Sequence, residues 1–359
     1  MRRLGAALLG ALPAVAAPLF TQLEVFVSGE DGYHTYRIPA LCVTKKGTLL
    51  AFCEGRRNSS SDSGDIDLLV KRSFDGGKTW SKAQVVADFG PDTIGNPAPV
   101  VERKSGTIWL PFFFNDTATT EKQIVNQEGG TRTVWITRSA DDGATWAPPE
   151  EITASTKRPD WTWYATGPGN GIQLRDGRLV IPCDHTIAVT RVMHSHVIYS
   201  DDRGRSWRLG GSAGEKTNES AVVELRDGSL MLNMRSYRGQ NRRAVAWSRD
   251  RGQSWSEPVV DDALIEPVCQ ASLIRYDKRR LLFSNPADTR RVNMTVRMSL
   301  DEGKSWPVAR RIHAGPSAYS SLAVLRSGRI GLLYERGDQR PYERITFACF
   351  NREWLEQKP

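Results

Sequence analysis

Five copies of one eight-residue pattern, S-x-D-x-G-x-[ST]-W, constrain this chain more than any other feature. They occupy residues 73–80, 139–146, 200–207, 248–255 and 299–306. The chemistry of the pattern is that of a hairpin turn. Asp and Ser side chains bond local backbone amides, and Gly supplies a positive φ. Each copy follows a strand-like run, such as residues 66–70 or 132–137. Turn chemistry therefore accounts for the five Asp residues, which are expected to be structural. The closing Trp is expected to anchor the turn in the apolar layer of its own sheet.

The copies start between 73 and 299 in four steps, a mean of 56.5 residues. The 343 residues that follow an expected leader hold about six such units. Units of that size contain four short strands, as in a propeller blade. Runs of period-2 alternation between Gly and Asp turns fill the chain, and amphipathic helices are scarce. The expected fold is all-β, a six-bladed β-propeller, in one domain over residues 17–359. The last strand, near residues 345–350, is expected to close the ring with an N-terminal strand, which removes exposed edges.

Residues 1–16 read as a secretory signal peptide. Met1-Arg2-Arg3 is basic, residues 4–17 are small and apolar, and Ala14-Val15-Ala16 is an A-x-A cleavage pattern. The protein is then exported: secreted or periplasmic, or lysosomal in a eukaryotic setting. No stretch approaches the roughly 20 apolar residues that span a bilayer. Hydrophobic residues at 39% and charged ones at 25% exclude a disordered or collagen-like chain. Five widely spaced cysteines make no disulfide framework. Cys42 and Cys53 are expected as buried free thiols rather than as a pair. The net charge is +8, but Lys and Arg are scattered along the chain. No basic run marks a nucleic-acid site, and an acidic small substrate suits the sign.

Other chemistries lack their signatures. There is no G-x-S-x-G elbow and no H-E-x-x-H. His194-x-His196 has no third ligand nearby in sequence, so no metal and no cofactor are expected. What remains is arginine beside strand-end polar signals: Tyr36-Arg37-Ile38-Pro39, Asn233-Met234-Arg235-Ser236 and Arg290-Arg291-Val292-Asn293. Three arginines from separate units can converge on a carboxylate, which the planar guanidinium binds bidentately.

These motifs, in this order with the five boxes, resemble the exo-α-sialidases, or neuraminidases, from about residue 20 to the C-terminus. Segments 164–173 (YATGPGNGIQ) and 283–287 (FSNPA) are similar to small secreted bacterial and lysosomal animal members. The resemblance implies that Arg37, Arg235 and Arg291 grip a substrate carboxylate, with Arg290 the rival for the third place. It implies that Glu335 holds the first arginine and that Arg56 lines the pocket near the sugar's O4. The family's acid/base aspartate falls on the polar loop after Arg56. Asp62 is the match, with Asp65 and Asp67 as rivals. Asp67 alternates with Ile66 and Leu68 and reads as part of a strand. Asn218-Glu219-Ser220 and Ala318-Tyr319-Ser320 match the family's glutamate and tyrosine.

The implied activity is release of terminal α-linked sialic acid from glycoproteins, glycolipids and oligosaccharides, with retention. The anomeric carbon of sialic acid carries a carboxylate, so a carboxylate nucleophile would meet like charge. A neutral tyrosine avoids that repulsion, provided a base such as Glu219 takes its proton. The implied partner is a sialylated glycan, with no nucleic acid and no membrane span, and a closed propeller is expected to stand as a monomer. A trans-sialidase and a non-catalytic glycan-binding propeller are the alternatives. Asn58, Asn115, Asn218 and Asn293 open N-x-[ST] sequons. A glycan at Asn218 or Asn293 would crowd the site, which favours a bacterial origin.

Overall fold

The computed structural model describes residues 16–357. The leader expected over residues 1–16 lies outside them, but for its last residue. Half of the residues are in strands and 4% are in helices, so the class is all-β. Nearly all pairing is antiparallel between consecutive strands. No helix among the described residues is long and apolar enough to cross a membrane.

The five repeated turns share one hydrogen-bond scheme, clearest in the second copy. Ser139 Oγ donates to Asp141 Oδ1 at 2.8 Å and accepts from Gly143 N at 2.9 Å. Asp141 then accepts from Thr145 N at 2.9 Å and from the Thr145 hydroxyl at 2.6 Å. Gly143 sits at φ +77°, where a side chain is strained. These bonds hold the Asp141 carboxyl at a pKa of about 2, with those from Thr145 foremost. Ser139→Ala leaves the buried Gly143 amide without its acceptor and should cost about 1–2 kcal/mol. Urea unfolding checks this; an unchanged midpoint would show the serine to be dispensable.

Trp306 meets Phe283 of its own unit at 5.6 Å, as expected, but three other tryptophans depart from expectation. Trp80 meets Phe347 edge-on at 5.3 Å, Trp146 meets Phe52 at 5.6 Å and Trp207 meets Trp109 at 6.5 Å. Each partner lies in the preceding antiparallel unit, not in the tryptophan's own. The turn thus stitches neighbouring units together. The apolar clusters are arranged likewise: Leu49, Ala51 and Leu69 pack with Leu333, Ile345 and Phe347.

Six further turns share a backbone pattern. In each, a residue's N–H bonds the carbonyl four or five positions on: Thr44 to Thr48, Glu102 to Thr107, Leu174 to Arg178, Leu225 to Ser229, Tyr276 to Arg280 and Leu325 to Arg329. The strands entering these turns touch in a series. Thr35–Val43 packs on Val100–Val101, and Val100–Val101 on Ile172–Gln173. Leu179–Ile187, partner of Ile172–Gln173, packs on Thr217–Glu224, and Thr217–Glu224 on Ser272–Arg275. Ser272–Arg275 packs on Val308–Val324, which returns to Thr35–Val43. A cavity of about 840 Å³ lies among them.

Phe20–Val27 pairs antiparallel with Arg344–Phe350, from Phe20 opposite Phe350 to Val27 opposite Arg344, with one register shift between Glu24 and Phe26. This is the N-terminal to C-terminal pairing expected from sequence. All five cysteines are free and buried. Cys42 faces Leu50 and Cys53 faces Leu69 across their ladders, so the two thiols have no common site. Of the sequon asparagines, Asn115 and Asn218 are buried and closed to glycosylation in the folded protein.

Candidate active site

Three strands of the series break register at the same place. The ladders skip between Arg37 and Ala40, between Thr217 and Ser220, and between Ser317 and Ser320. Such bulges re-aim side chains. The residue two places after Thr35, Thr217 and Ser317 is Arg37, Glu219 and Tyr319 respectively. Glu219 and Tyr319 lie within their bulges, Arg37 is the last paired residue before its own, and all three face a common pocket of about 280 Å³. At the first bulge Ile38 takes φ +58°, a costly conformation for a β-branched residue. Its N–H donates to Glu335 Oε1 at 2.9 Å, which holds the strained residue in place.

Glu335 is fully buried and serves three donors. Arg37 Nε reaches Oε1 at 2.8 Å, beside the Ile38 amide, and the Tyr319 amide reaches Oε2 at 3.0 Å. One carboxylate thus fixes the first arginine and the tyrosine backbone together. The Tyr319 hydroxyl donates to Glu219 Oε1 at 2.5 Å. Arg235 Nη1 bonds Glu219 Oε2 at 2.8 Å and the Tyr319 oxygen at 3.2 Å. Burial, and then the neighbouring Glu219 charge, push the Tyr319 phenol well above its usual pKa. The phenol is therefore neutral in the empty site and requires a base to ionise.

Arg291 turns inward, with its guanidinium 5.6 Å from the Tyr319 ring centre and bonded to the Tyr342 hydroxyl. Arg290 is 80% exposed and pairs with Asp288 at 3.8 Å. Of the two adjacent arginines, only Arg291 reaches the pocket. The polar loop separates the aspartates in the same way. Asp65 pairs with Arg57 at 3.1 Å. Asp67 is fully buried between the Tyr33 hydroxyl and Arg57, both at 2.6 Å. Asp62 faces the pocket, 2.7 Å from Arg56 and 3.6 Å from Arg37. Burial pushes its carboxyl up, but Arg56 and Arg37 outweigh that and hold it below the usual range.

All eight residues singled out from the sequence (Arg37, Arg56, Asp62, Glu219, Arg235, Arg291, Tyr319 and Glu335) are brought together. Several neighbours escaped sequence reasoning. Glu54 is buried, takes Arg56 Nη2 at 2.7 Å and accepts from Asn96 N at 2.9 Å. Tyr342 lies under the Arg37 guanidinium at 4.0 Å. Arg132 is held between Phe113 at 3.8 Å and Trp163 at 4.7 Å. The local signal for Glu54 was available in Glu54-Gly55-Arg56; Tyr342 and Arg132 had none. His185 stacks between His194 and Trp161, whose ring lies 3.4 Å from its own, and His196 meets His185 and Trp161 edge-on. Burial pulls the His196 pKa down to about 3, so this buried imidazole is neutral.

Comparison with known proteins agrees with this geometry. A family described as BNR repeat-like domain matches residues 47–332. A sialidase of Bacteroides fragilis is 36% identical over 334 residues, 86% of this chain. The chain spans 61% of that relative's length. An exo-alpha-sialidase of Arthroderma benhamiae is 33% identical, covering 91% of this chain and 86% of its own. Among solved structures, Hadza microbial sialidase Hz136 superimposes with a TM-score of 0.84 at 36% identity, over 91% of this chain and 68% of its own. By its repeats, its pocket and a fungal relative matched along nearly its whole length, this chain belongs to the exo-α-sialidase family.

Proposed function

We propose that this protein is an exo-α-sialidase that hydrolyses terminal α-linked sialic acid through a covalent tyrosyl intermediate, with retention. The observation that carries the reading is the 2.5 Å bond between the Tyr319 hydroxyl and Glu219, beside three inward arginines. Arg37, Arg235 and Arg291 bind the substrate carboxylate. Asp62 protonates the departing glycosidic oxygen. Tyr319 bonds to the anomeric carbon as its proton passes to Glu219. Asp62, now a carboxylate, takes a proton from water, whose oxygen attacks the same carbon. Glu219 returns its proton to Tyr319, and free sialic acid leaves.

The scaffold is read as a six-bladed propeller formed by one domain, exported and acting as a monomer. The closed series of strand contacts and the six matching turns support the blade number. The sheets themselves are hydrogen-bonded in larger and smaller groups.

In the empty site Asp62 is ionised by its arginine neighbours, which is the wrong form for an acid. Substrate brings its own carboxylate to Arg37, weakens that hold and raises the Asp62 pKa. The decline of kcat at rising pH should therefore lie at higher pH than the decline of kcat/KM. Coincident limbs would count against Asp62. Asp62→Asn should slow sialyllactose far more than an aryl sialoside, whose leaving group needs little protonation. The principal test is incubation with a 3-fluorosialosyl fluoride followed by peptide mass spectrometry. A sialosyl adduct on Tyr319 is expected; an adduct elsewhere, or none from protein that turns over an aryl sialoside, would overturn the mechanism.

A further inference from the structure

The Lys and Arg residues that look scattered in sequence are gathered by the fold. The six turns spanning 44–48, 102–107, 174–178, 225–229, 276–280 and 325–329 hold twelve Lys and Arg but four Asp and Glu. Their surplus of eight equals the net charge of the whole chain. Only Arg175, Arg178, Arg226 and Arg280 have a carboxylate partner, so eight of the twelve make no ion pair among the described residues. Arg103, Arg175, Arg226 and Lys278 border the mouth of the 840 Å³ cavity.

This ring lies at the far end of the strands from the pocket. Arg37 lies near the start of the strand Thr35–Val43 and Lys45 in the turn just past its end. A surplus of positive charge around a single opening attracts a polyanion. The ring offers little to bases, because its one aromatic, Tyr276, is tied by its hydroxyl to Gly328 O at 2.8 Å. It offers little to a bilayer, because none of the large exposed hydrophobic side chains lies in the six turns.

We propose that this ring binds an anionic polysaccharide, sulfated or carboxylated, and holds the protein on it with the catalytic pocket facing outward. The choice of a glycan over another flexible polyanion rests on the proposed function. The binding itself does not. Tethering to one chain of an acidic glycan layer raises the effective concentration of neighbouring chain ends at the pocket.

The test measures Kd for chondroitin sulfate, which carries no sialic acid, at 0.15 M salt and across a salt series. Two fourfold variants have the same total charge. One places Glu at Lys46, Arg103, Lys278 and Arg326. The control places Glu at Arg158, Arg191, Arg290 and Arg340, which are exposed and outside the ring. The ring variant should weaken binding at least about tenfold and flatten the salt dependence, while the control shifts it less than about threefold. Both should retain aryl sialoside turnover. Equal losses in both variants would reduce the effect to net charge and overturn the proposal. So would wild type that fails to bind, or that binds an oligonucleotide or anionic vesicles more tightly. Because chondroitin sulfate is not cleaved, binding is read independently of whether the pocket is a sialidase.

Discussion

Tyr319→Phe should leave a folded protein that binds substrate and turns it over at least about a thousandfold more slowly. The change removes one oxygen. The ring keeps its packing on Ile38, Cys269 and Ala318, and the Tyr319 amide keeps Glu335. The three arginines keep their own supports, so KM should change little while kcat collapses. Glu219 would retain Arg235 at 2.8 Å, so no buried charge is left unpaired. Initial rates with 4-methylumbelliferyl α-sialoside, beside a thermal unfolding curve, check both halves. Near wild-type kcat would remove Tyr319 from the chemistry.

Glu335→Ala should be as damaging, by a different route. The substitution takes the only carboxylate from Arg37 within hydrogen-bond distance, and both amides at the two bulges lose their acceptor. Breaking a buried ion pair by removing one partner costs about 3–5 kcal/mol. Stability to urea should fall by that order, and activity should fall further than the loss of folded protein explains. Glu335→Gln keeps an acceptor for one amide but loses the charge. It should fold, with a raised KM as Arg37 loosens. A wild-type KM in the glutamine variant would show that Arg37 needs no such counter-charge.

Much of this was legible because it is local. The Ser–Asp–Gly turn is written in eight consecutive residues, and its spacing conveys the unit size. Arg37, Glu219, Arg235 and Tyr319 lie in short motifs whose order survives in the linear chain. Asp62 was separable from Asp65 and Asp67 only in part; the alternation around Asp67 identified a strand, whereas Asp65 needed the position of Arg57. Arg290 and Arg291 differ by one step of a turn, which no composition reports. Trp80, Trp146 and Trp207 meet aromatics of another unit because a side chain's own sheet is local information, while its neighbour across the interface is not. Tyr342, under Arg37, and Arg132, between two aromatics, meet their partners through contacts of the same kind. The basic ring escaped for that reason also: six turns of one to three cations, each ordinary alone, become one feature only when the turns are placed side by side.

The pairing of Phe20–Val27 with Arg344–Phe350 has a consequence for how the protein is made. The first strand of the described chain finds its partner some three hundred residues later. During synthesis it waits, with an unpaired edge, until residues 344–350 have appeared. Closure of so long a loop is the slow, entropically expensive contact. Asn351 then reaches back to Ala17 O at 2.8 Å and to the Leu19 amide, also at 2.8 Å. The first and last strands described thus act as a clasp, and a nascent molecule is exposed to mispairing with its siblings until residues 344–351 have emerged.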